Sequence, residues 1–267
     1  MRVDTSGKIS LDHIYTQPDP RAYFTTLRDL DYHIPQLARP HFAELIGEYR
    51  KARDVAVPTV LDIGCSYGIN AALLKYGITM GDLYERYSGA DAHRRTRDSL
   101  LARDRELSRR RTAPARFLGL DASDNALSYA LDAGFLDGAV HADLESDDPT
   151  GPQRDLLAET DLVISTGCLG YVTERTVARV VAACGGRRPW MAHFILRMFP
   201  FAPIAGTLAA AGYETVRREG LFRQRRFATP QERENVLLRL ADAGIDARGL
   251  EADGWYYAEL HVSRPRP

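Results

Sequence analysis

A short run of residues after an apolar strand has the composition of a ligand-binding turn. The strand, over residues 59–63, contains Asp62 and leads into Gly64, Ser66 and Gly68 before a helical segment begins. Glycine has no Cβ, so the backbone of such a turn can approach a ligand closely. The helix that follows points its free N–H groups towards the same place. This arrangement is typical of a nucleotide-type cofactor site at the carboxyl edge of a parallel sheet.

Asp62 restricts the kind of ligand that this turn can hold. A carboxylate repels phosphate, which disfavours a dinucleotide with its pyrophosphate. The same carboxylate suits a ligand that carries an ammonium group, and S-adenosylmethionine carries one.

The spacing of Asp62, Gly64, Ser66 and Gly68 resembles the D-x-G-x-G-x-G motif of class I S-adenosylmethionine-dependent methyltransferases, with serine in place of the middle glycine. Motif support for this resemblance covers about residues 58–200. It implies S-adenosylmethionine as the cofactor. Strand and helix patterns alternate along the chain, which predicts an α/β fold: a doubly wound, mostly parallel, seven-stranded Rossmann-like sheet with an antiparallel edge strand.

Two later acids extend the predicted site. Asp121 ends an apolar strand, where its carboxylate can accept hydrogen bonds from both ribose hydroxyls. Asp143 ends the next strand, where it can accept the amino hydrogens of adenine while Leu144 donates its backbone N–H. The resemblance supports these roles. The predicted cofactor-binding residues are Asp62, Gly64, Cys65, Ser66, Gly68, Asn70, Asp121, Ala122, Asp143, Leu144, Ser165, Thr166 and Gly167.

The residues that could carry chemistry are fewer. In the resembling family the loop after the fourth strand, which begins here at Ser165, lies beside the transferable methyl group. Tyr171 is a candidate for a cation–π contact with the sulfonium, or it packs on the sheet. His193, inside the apolar strand 190–196, is either a general base or a hydrogen-bonded core residue. Cys168 is read as a small buried residue rather than a nucleophile.

An N-terminal helical extension, residues 1–56, precedes the cofactor strand. It is predicted to hold helices over 22–30 and 41–53, which either cover the cofactor cleft as a lid or simply pack on the sheet. Its candidate substrate-binding residues are Tyr23, Tyr32 and His33.

Residues 57–267 form the predicted cofactor domain. The second strand is placed at 115–121 rather than at 88–91, because the later segment has the longer apolar run and a cap-like Ser123. This choice makes residues 77–113 an insertion, since the usual spacing to the ribose acid is about 20 residues. Further strands are predicted near 138–142, 161–165, 190–196, within 213–228, and at 254–263.

Composition narrows the function classes. The 267 residues carry a formal net charge of −1, so no bulk field favours nucleic acid or an anionic membrane. The arginine-rich insertion is read as a solvated helix rather than a nucleic-acid surface, because no aromatic residues lie between its arginines. Three cysteines without metal-type spacing indicate reduced thiols, a cytoplasmic location and no metal site.

These observations lead to three hypotheses. The first is a methyltransferase that acts on a small molecule of secondary metabolism by aligning the acceptor with the sulfonium, with nucleic acid and membrane not expected as partners. The second keeps the cofactor but cyclises it to azetidine-2-carboxylate with release of methylthioadenosine. The third is a non-catalytic, nucleic-acid-associated module. The sequence leaves the oligomeric state open.

Overall fold

The computed structural model of the protein describes residues 11–110 and 114–266, within which eight strands form one sheet. The remaining residues of the predicted N-terminal extension (1–10), of the predicted insertion (111–113) and of the cofactor domain (267) lie outside the described part. The strands are β1 Thr59–Ile63, β2 Arg116–Asp121, β3 Gly138–His141, β4 Leu162–Thr166, β5 Trp190–Leu196, β6 Tyr213–Arg217, β7 Phe222–Arg226 and β8 Trp255–Pro265.

Twelve α-helices connect or precede these strands within the described ranges. They are α1 Asp12–Tyr15, α2 Arg21–Asp29, α3 Ile34–Arg53, α4 Ile69–Tyr76, α5 Met80–Ser88, α6 Ala90–Arg94, α7 Arg97–Arg105, α8 Asp124–Asp132, α9 Gly151–Leu157, α10 Glu174–Ala183, α11 Ala202–Ala210 and α12 Pro230–Asp242. Short 3₁₀ turns lie at Glu106–Arg110, Gly185–Arg187 and Glu251–Asp253. No helix in the described ranges has both the length and the apolar character needed to cross a bilayer.

The strand order β3-β2-β1-β4-β5-β8-β6 confirms the predicted doubly wound sheet. Strands β1 to β5 are parallel, and β8 runs antiparallel to β5. The number of strands is eight rather than seven, because the predicted strand within 213–228 is divided. Its two parts, β6 and β7, pair with successive stretches of the same side of β8. The divided strand therefore still occupies one position in the sheet.

Both faces of the sheet are covered, which is why the central strands are buried along their whole length. Val60, Ile164 and Phe194 belong to a core shared with α2, α3, α4, α5 and α8. Leu61 and Val163 belong to the opposite core, shared with α9, α10 and α11. Alternate residues of one strand thus reach opposite cores. The chain reverses its direction of winding between β1 and β4, and ligands bind at such a switch point in open α/β sheets.

The N-terminal extension differs from the prediction in one helix. A break was expected near Pro35 with a new helix from residue 41, but α3 runs without interruption from Ile34 to Arg53. Pro35 lies in the first turn, where a missing N–H costs nothing. Pro40 removes one internal hydrogen bond, yet the helix continues because Phe42 and its apolar neighbours are buried against the sheet.

The insertion is packed rather than solvated, which corrects the sequence-based interpretation. Its helices α5 and α7 enclose Asp104, which is fully buried and accepts hydrogen bonds from Tyr87 Oη (2.7 Å), Tyr129 Oη (2.6 Å) and Arg86 Nε (3.3 Å). Three arginines of the stretch predicted to be solvated bond to other parts of the protein: Arg97, Arg103 and Arg105. The sequence could not show this, because the partners are distant along the chain.

Asp104 gives the first testable prediction. Replacing Asp104 with alanine leaves two buried phenols and a guanidinium without their shared acceptor, and the expected loss in the free energy of unfolding is about 3–5 kcal/mol. Urea denaturation measures it. Asp91 is the matched control, because its pair with Arg95 is an exposed i,i+4 contact whose loss is expected to leave the free energy of unfolding nearly unchanged. Equal losses in the two variants would contradict the assignment.

Candidate functional site

A cavity of about 240 Å³ lies at the carboxyl ends of β1, β2 and β4. Its wall combines the turn after β1, the loop after β4, the strand β7 and the N-terminal cover, by which we mean residues 11–35. The lining residues are Leu11, Tyr15, Tyr23, Leu27, Tyr32, Pro35, Gly64, Cys65, Ser66, Ile69, Asn70, Asp121, Thr166, Gly167, Cys168, Tyr171, Gln224 and Arg225. Most of the residues predicted from the glycine turn, and both predicted substrate-binding tyrosines, are therefore brought together.

The turn after β1 places backbone against the cavity. Gly64 has φ +66°, and a Cβ there would lie 2.6 Å from Cys168 Cβ, so only glycine fits between the β1 and β4 loops. Ser66 also adopts a positive φ of 49°. Its N–H donates to Asp121 Oδ2 at 2.8 Å, and Ser123 N–H donates to Asp121 Oδ1 at 2.9 Å. Asp121 also accepts from the N–H of Ala122, so its two oxygens together retain capacity for a further hydrogen bond from a ligand hydroxyl.

Asp62 lies behind the cavity wall rather than in it. The side chain is fully buried, and burial raises the pKa of Asp62 to about 8 against the opposing effect of its hydrogen bond with Asn70. Asn70 Nδ2 donates to both Asp62 oxygens (3.1 and 3.2 Å) and to Thr166 Oγ1 (3.1 Å). Asn70 therefore lines the cavity and Asp62 does not, so a direct contact between Asp62 and a ligand ammonium stays a prediction from the sequence.

Three buried polar atoms on the cavity wall lack a hydrogen-bond partner among the described residues. They are Ser66 Oγ, Asn70 Oδ1 and Gln224 Oε1. Buried polar groups are nearly always hydrogen-bonded, and leaving one unpaired costs about 1–3 kcal/mol. All three can accept a hydrogen bond, so the cavity fits a ligand that presents several N–H or O–H donors.

Aromatic rings form the side of the cavity beneath the N-terminal cover. Tyr23 is central, with its ring centroid 5.6 Å from Tyr15, 6.3 Å from Tyr32 and 5.8 Å from Tyr67, all in edge-to-face arrangement. The Tyr32 hydroxyl interacts with those of Tyr23 and Thr166, and burial raises the pKa of Tyr32 far above its usual value. These phenols therefore stay protonated at neutral pH and act as hydrogen-bonding groups.

The N-terminal cover is held in place by hydrogen bonds to elements of the site. Tyr67 Oη donates to the carbonyl of Gln17 at 2.9 Å, and Ser123 Oγ donates to that of Tyr15 at 2.7 Å. Asn125 Nδ2 donates to the carbonyl of Thr16 at 2.8 Å. The role of the cover as a lid stays a prediction.

Two histidines predicted to belong to the site, the candidate base His193 and the candidate substrate-binding His33, lie away from the cavity. His193 is fully buried in β5, with Nδ1 2.8 Å from the oxygen of Ser165, and burial lowers its pKa to about 3. Both side chains face the core that contains Phe201, which favours the core-residue interpretation of His193 over that of a general base. His33 contacts the Asp31 carbonyl and the Trp255 ring, and it does not line the cavity.

Besides Asp62, five predicted cofactor-binding residues do not line the cavity, and one of them is Ser165, which is fully buried against His193. Asp143 is exposed and accepts from Glu145 N–H and Ser146 Oγ, while Leu144 is buried in the opposite core. The carbonyl of Ala122 lies 3.1 Å from His141 Nε2. Gly68 begins α4 and faces Ala130 of α8 rather than the cavity. The adenine contacts assigned to Asp143 and Leu144 thus stay predictions.

Tyr171 lines the cavity at its exposed side, and its ring meets Phe199 edge to face. Cys168 lines the cavity as well, but burial raises the pKa of this thiol to about 12, which makes a thiolate nucleophile unfavourable. The described residues contain no group of three or more His, Cys, Asp or Glu side chains that could hold a metal ion.

The residues missed from the sequence come from segments without a motif. They are Leu11, Tyr15, Leu27, Pro35, Ile69, Gln224 and Arg225. The available signal was the run Arg223-Gln224-Arg225-Arg226, where a glutamine interrupts charged residues inside a strand. Arg225 is buried and forms a two-fold ion pair with Glu232 (2.7 and 3.1 Å), which sequence alone does not pair with it.

No family model matches the chain, and no curated protein matches it. Solved structures that it resembles include the plantazolicin methyltransferase BpumL in complex with SAH, which is 10% identical, with a TM-score of 0.45 over 96% of this chain and 93% of that one. Another is magnesium protoporphyrin IX methyltransferase from Synechocystis PCC 6803 with bound SAM, which is 12% identical, with a TM-score of 0.42 over 85% of this chain and 80% of that one. A third is a TehB-like SAM-dependent methyltransferase from Corynebacterium glutamicum, which is 14% identical, with a TM-score of 0.40 over 82% of this chain and 86% of that one.

The raised pKa of Asp62 predicts a pH dependence of stability. The folded chain holds a proton on Asp62 up to about pH 8, whereas the unfolded chain releases it near the ordinary value of 3.8. Between these values the folded state binds more protons, so the stability contributed by this group falls as pH rises. An Asp62→Asn variant lacks this loss, and its stability relative to wild type should increase from pH 6 to pH 9 in urea denaturation of the ligand-free protein.

Asp155→Asn serves as the control, because Asp155 is an exposed acid on α9. Its stability relative to wild type is expected to stay constant over the same pH range. A constant difference for Asp62→Asn as well would mean that the carboxyl group is already ionised in the folded protein at pH 6.

Proposed function

We propose that this protein is an S-adenosylmethionine-dependent methyltransferase that acts on a small molecule. The observation that carries the proposal is the set of unpartnered acceptors, Ser66 Oγ, Asn70 Oδ1 and Gln224 Oε1, in a cavity at the switch point of a doubly wound sheet. A cofactor with ribose hydroxyls and an amino group supplies the donors that these atoms lack.

The residues of the cavity fit this cofactor. Asp121 would accept from a ribose hydroxyl with the acceptor capacity that the N–H groups of Ser66, Ala122 and Ser123 leave free. The charged residues that line the cavity in the described part of the chain are Asp121 and Arg225, and Glu232 neutralises the latter. The site is therefore suited to a positively charged ligand rather than to a phosphate.

Methyl transfer suits the chemistry available in the cavity. The bound cofactor supplies a methyl group that its positive sulfur has already activated, so the protein must orient an acceptor and exclude water. Orientation alone can supply roughly 7–11 kcal/mol in favourable cases. The cavity wall offers protonated tyrosines and a high-pKa thiol, Cys168, and His193 lies outside it. An acceptor that needs little base catalysis is therefore favoured.

The size and lining of the cavity favour a small acceptor. Tyr15, Tyr23, Tyr32 and Tyr171 present ring faces and hydroxyls around one enclosed space. Four arginines of the stretch that supported the nucleic-acid alternative bond to other groups of the chain: Arg95, Arg97, Arg103 and Arg105. We therefore propose a small molecule as the substrate, and a role in secondary metabolism remains part of this proposal.

Cofactor binding tests the proposal directly. Replacing Asp121 with asparagine removes the charge and one acceptor from the ribose position, and we expect the affinity for S-adenosylhomocysteine to fall at least tenfold, about 1.4 kcal/mol. Isothermal titration calorimetry measures it. Asp124→Asn, an exposed neighbour, is expected to bind as wild type does. Equal affinity of Asp121→Asn and wild type would contradict the site.

The reaction is tested by incubating the protein with S-adenosylmethionine alone and following products by mass spectrometry. Methyl transfer requires an acceptor, so the cofactor is expected to remain intact above the uncatalysed background. Methylthioadenosine formed without a second substrate would instead mean that the protein cyclises its cofactor, and the proposal of methyl transfer would be withdrawn.

A further inference from the structure

Gln224 is a polar residue in the cavity wall that no cofactor motif includes. It lies on β7, at the edge of the sheet, and is 4% exposed. Its Nε2 lies 2.8 Å from the position that a Cβ on Gly167 would take, so the amide sits directly against the loop after β4. Its Oε1 is buried and has no hydrogen-bond partner among the described residues.

An irregularity in β7 turns this side chain inwards. Successive side chains of a regular strand point to opposite faces, yet Gln224 and Arg225 are both buried. The register of β7 on β8 shifts between Arg223 and Arg226, and such bulges re-aim side chains next to functional sites. Arg225 forms an ion pair with Glu232, whereas Gln224 faces the cavity and its Oε1 has no hydrogen-bond partner among the described residues.

The backbone around this bulge is fixed on its other side by the N-terminal segment. The carbonyl of Gln224 accepts from His33 N–H at 3.1 Å, and Arg226 N–H donates to the carbonyl of Leu30 at 2.8 Å. The main chain that carries the Gln224 side chain is thus fixed by hydrogen bonds to the N-terminal segment. A fixed backbone lowers the ordering cost of placing this side chain as an acceptor.

The surroundings of Gln224 select the kind of donor. Asn70 approaches the same β4 loop through Thr166, the residue before Gly167, and its Oδ1 is the second unpartnered amide oxygen there. The nitrogen of Asn70 is committed to Asp62 and Thr166, so its oxygen faces the cavity. Two neutral acceptors with a buried carboxyl group behind them suit an ammonium group, which donates up to three hydrogen bonds.

We propose that Gln224 binds the amino group at the aminoacyl end of the cofactor, together with Asn70. This inference rests on the proposed function and adds to it a binding residue from an edge strand. It predicts that the protein binds a ligand with the amino group more tightly than the same ligand without it. Part of this difference in affinity should be lost when the side-chain oxygen of Gln224 is removed.

The test compares S-adenosylhomocysteine with its desamino analogue, in which hydrogen replaces the amino group, by calorimetry. Wild type is expected to bind S-adenosylhomocysteine more tightly than the analogue. In Gln224→Leu the affinity for S-adenosylhomocysteine should fall about tenfold, as for the loss of one hydrogen bond to a charged group, while affinity for the analogue stays within about twofold. Gln231→Leu, the same change at an exposed position on α12, is the control.

A second variant keeps the inference testable if the leucine variant does not fold. Gln224→Glu retains an acceptor oxygen at the same position, so it should preserve or increase the preference for S-adenosylhomocysteine over the analogue. Unchanged binding of S-adenosylhomocysteine by Gln224→Leu, or an equal loss for both ligands, would overturn the role of Gln224. Wild type that binds neither ligand would overturn the proposed function itself.

Discussion

The burial of the Asp62 carboxyl group is the constraint on which the candidate site depends. No cation among the described residues accompanies it, and its contacts are instead with the amide of Asn70. In this arrangement the nitrogen of Asn70 lies against Asp62, and its oxygen is left without a hydrogen-bond partner among the described residues. The same nitrogen reaches Thr166 on the neighbouring strand. One buried acid therefore links the β1 turn to the β4 loop and leaves an amide oxygen facing the cavity.

The cover of the cavity is joined to its floor by side chains from the same region. Tyr67 follows the Gly64 turn and Ser123 follows Asp121, and both donate to backbone carbonyls of the N-terminal segment. Residues that shape the cofactor turn thus also position Tyr15 over it. The aromatic wall and the predicted ribose acid belong to one hydrogen-bonded unit rather than to two independent parts.

Local patterns predicted most of the fold. The strands at 59–63 and 190–196 and the helix at 69–76 were recovered within a residue, because apolar runs, glycines and caps are encoded locally. The glycine turn and Asp121 were found for the same reason. The burial of Asp104 depends on Tyr87 and Tyr129 from separate helices, and the exposure of Gln224 to the cavity depends on a register shift against β8. Neither can be read from neighbouring residues.

The division of one sheet position between β6 and β7 has a consequence for association between molecules. A long, flat edge strand offers unpaired N–H and C=O groups on which another chain can aggregate. Here the edge is interrupted at residues 218–221, its second half is bulged, and charged side chains such as Glu214 and Arg217 lie along its first half. The bulge that turns Gln224 inwards thereby also shortens the surface on which amyloid-like stacking could begin.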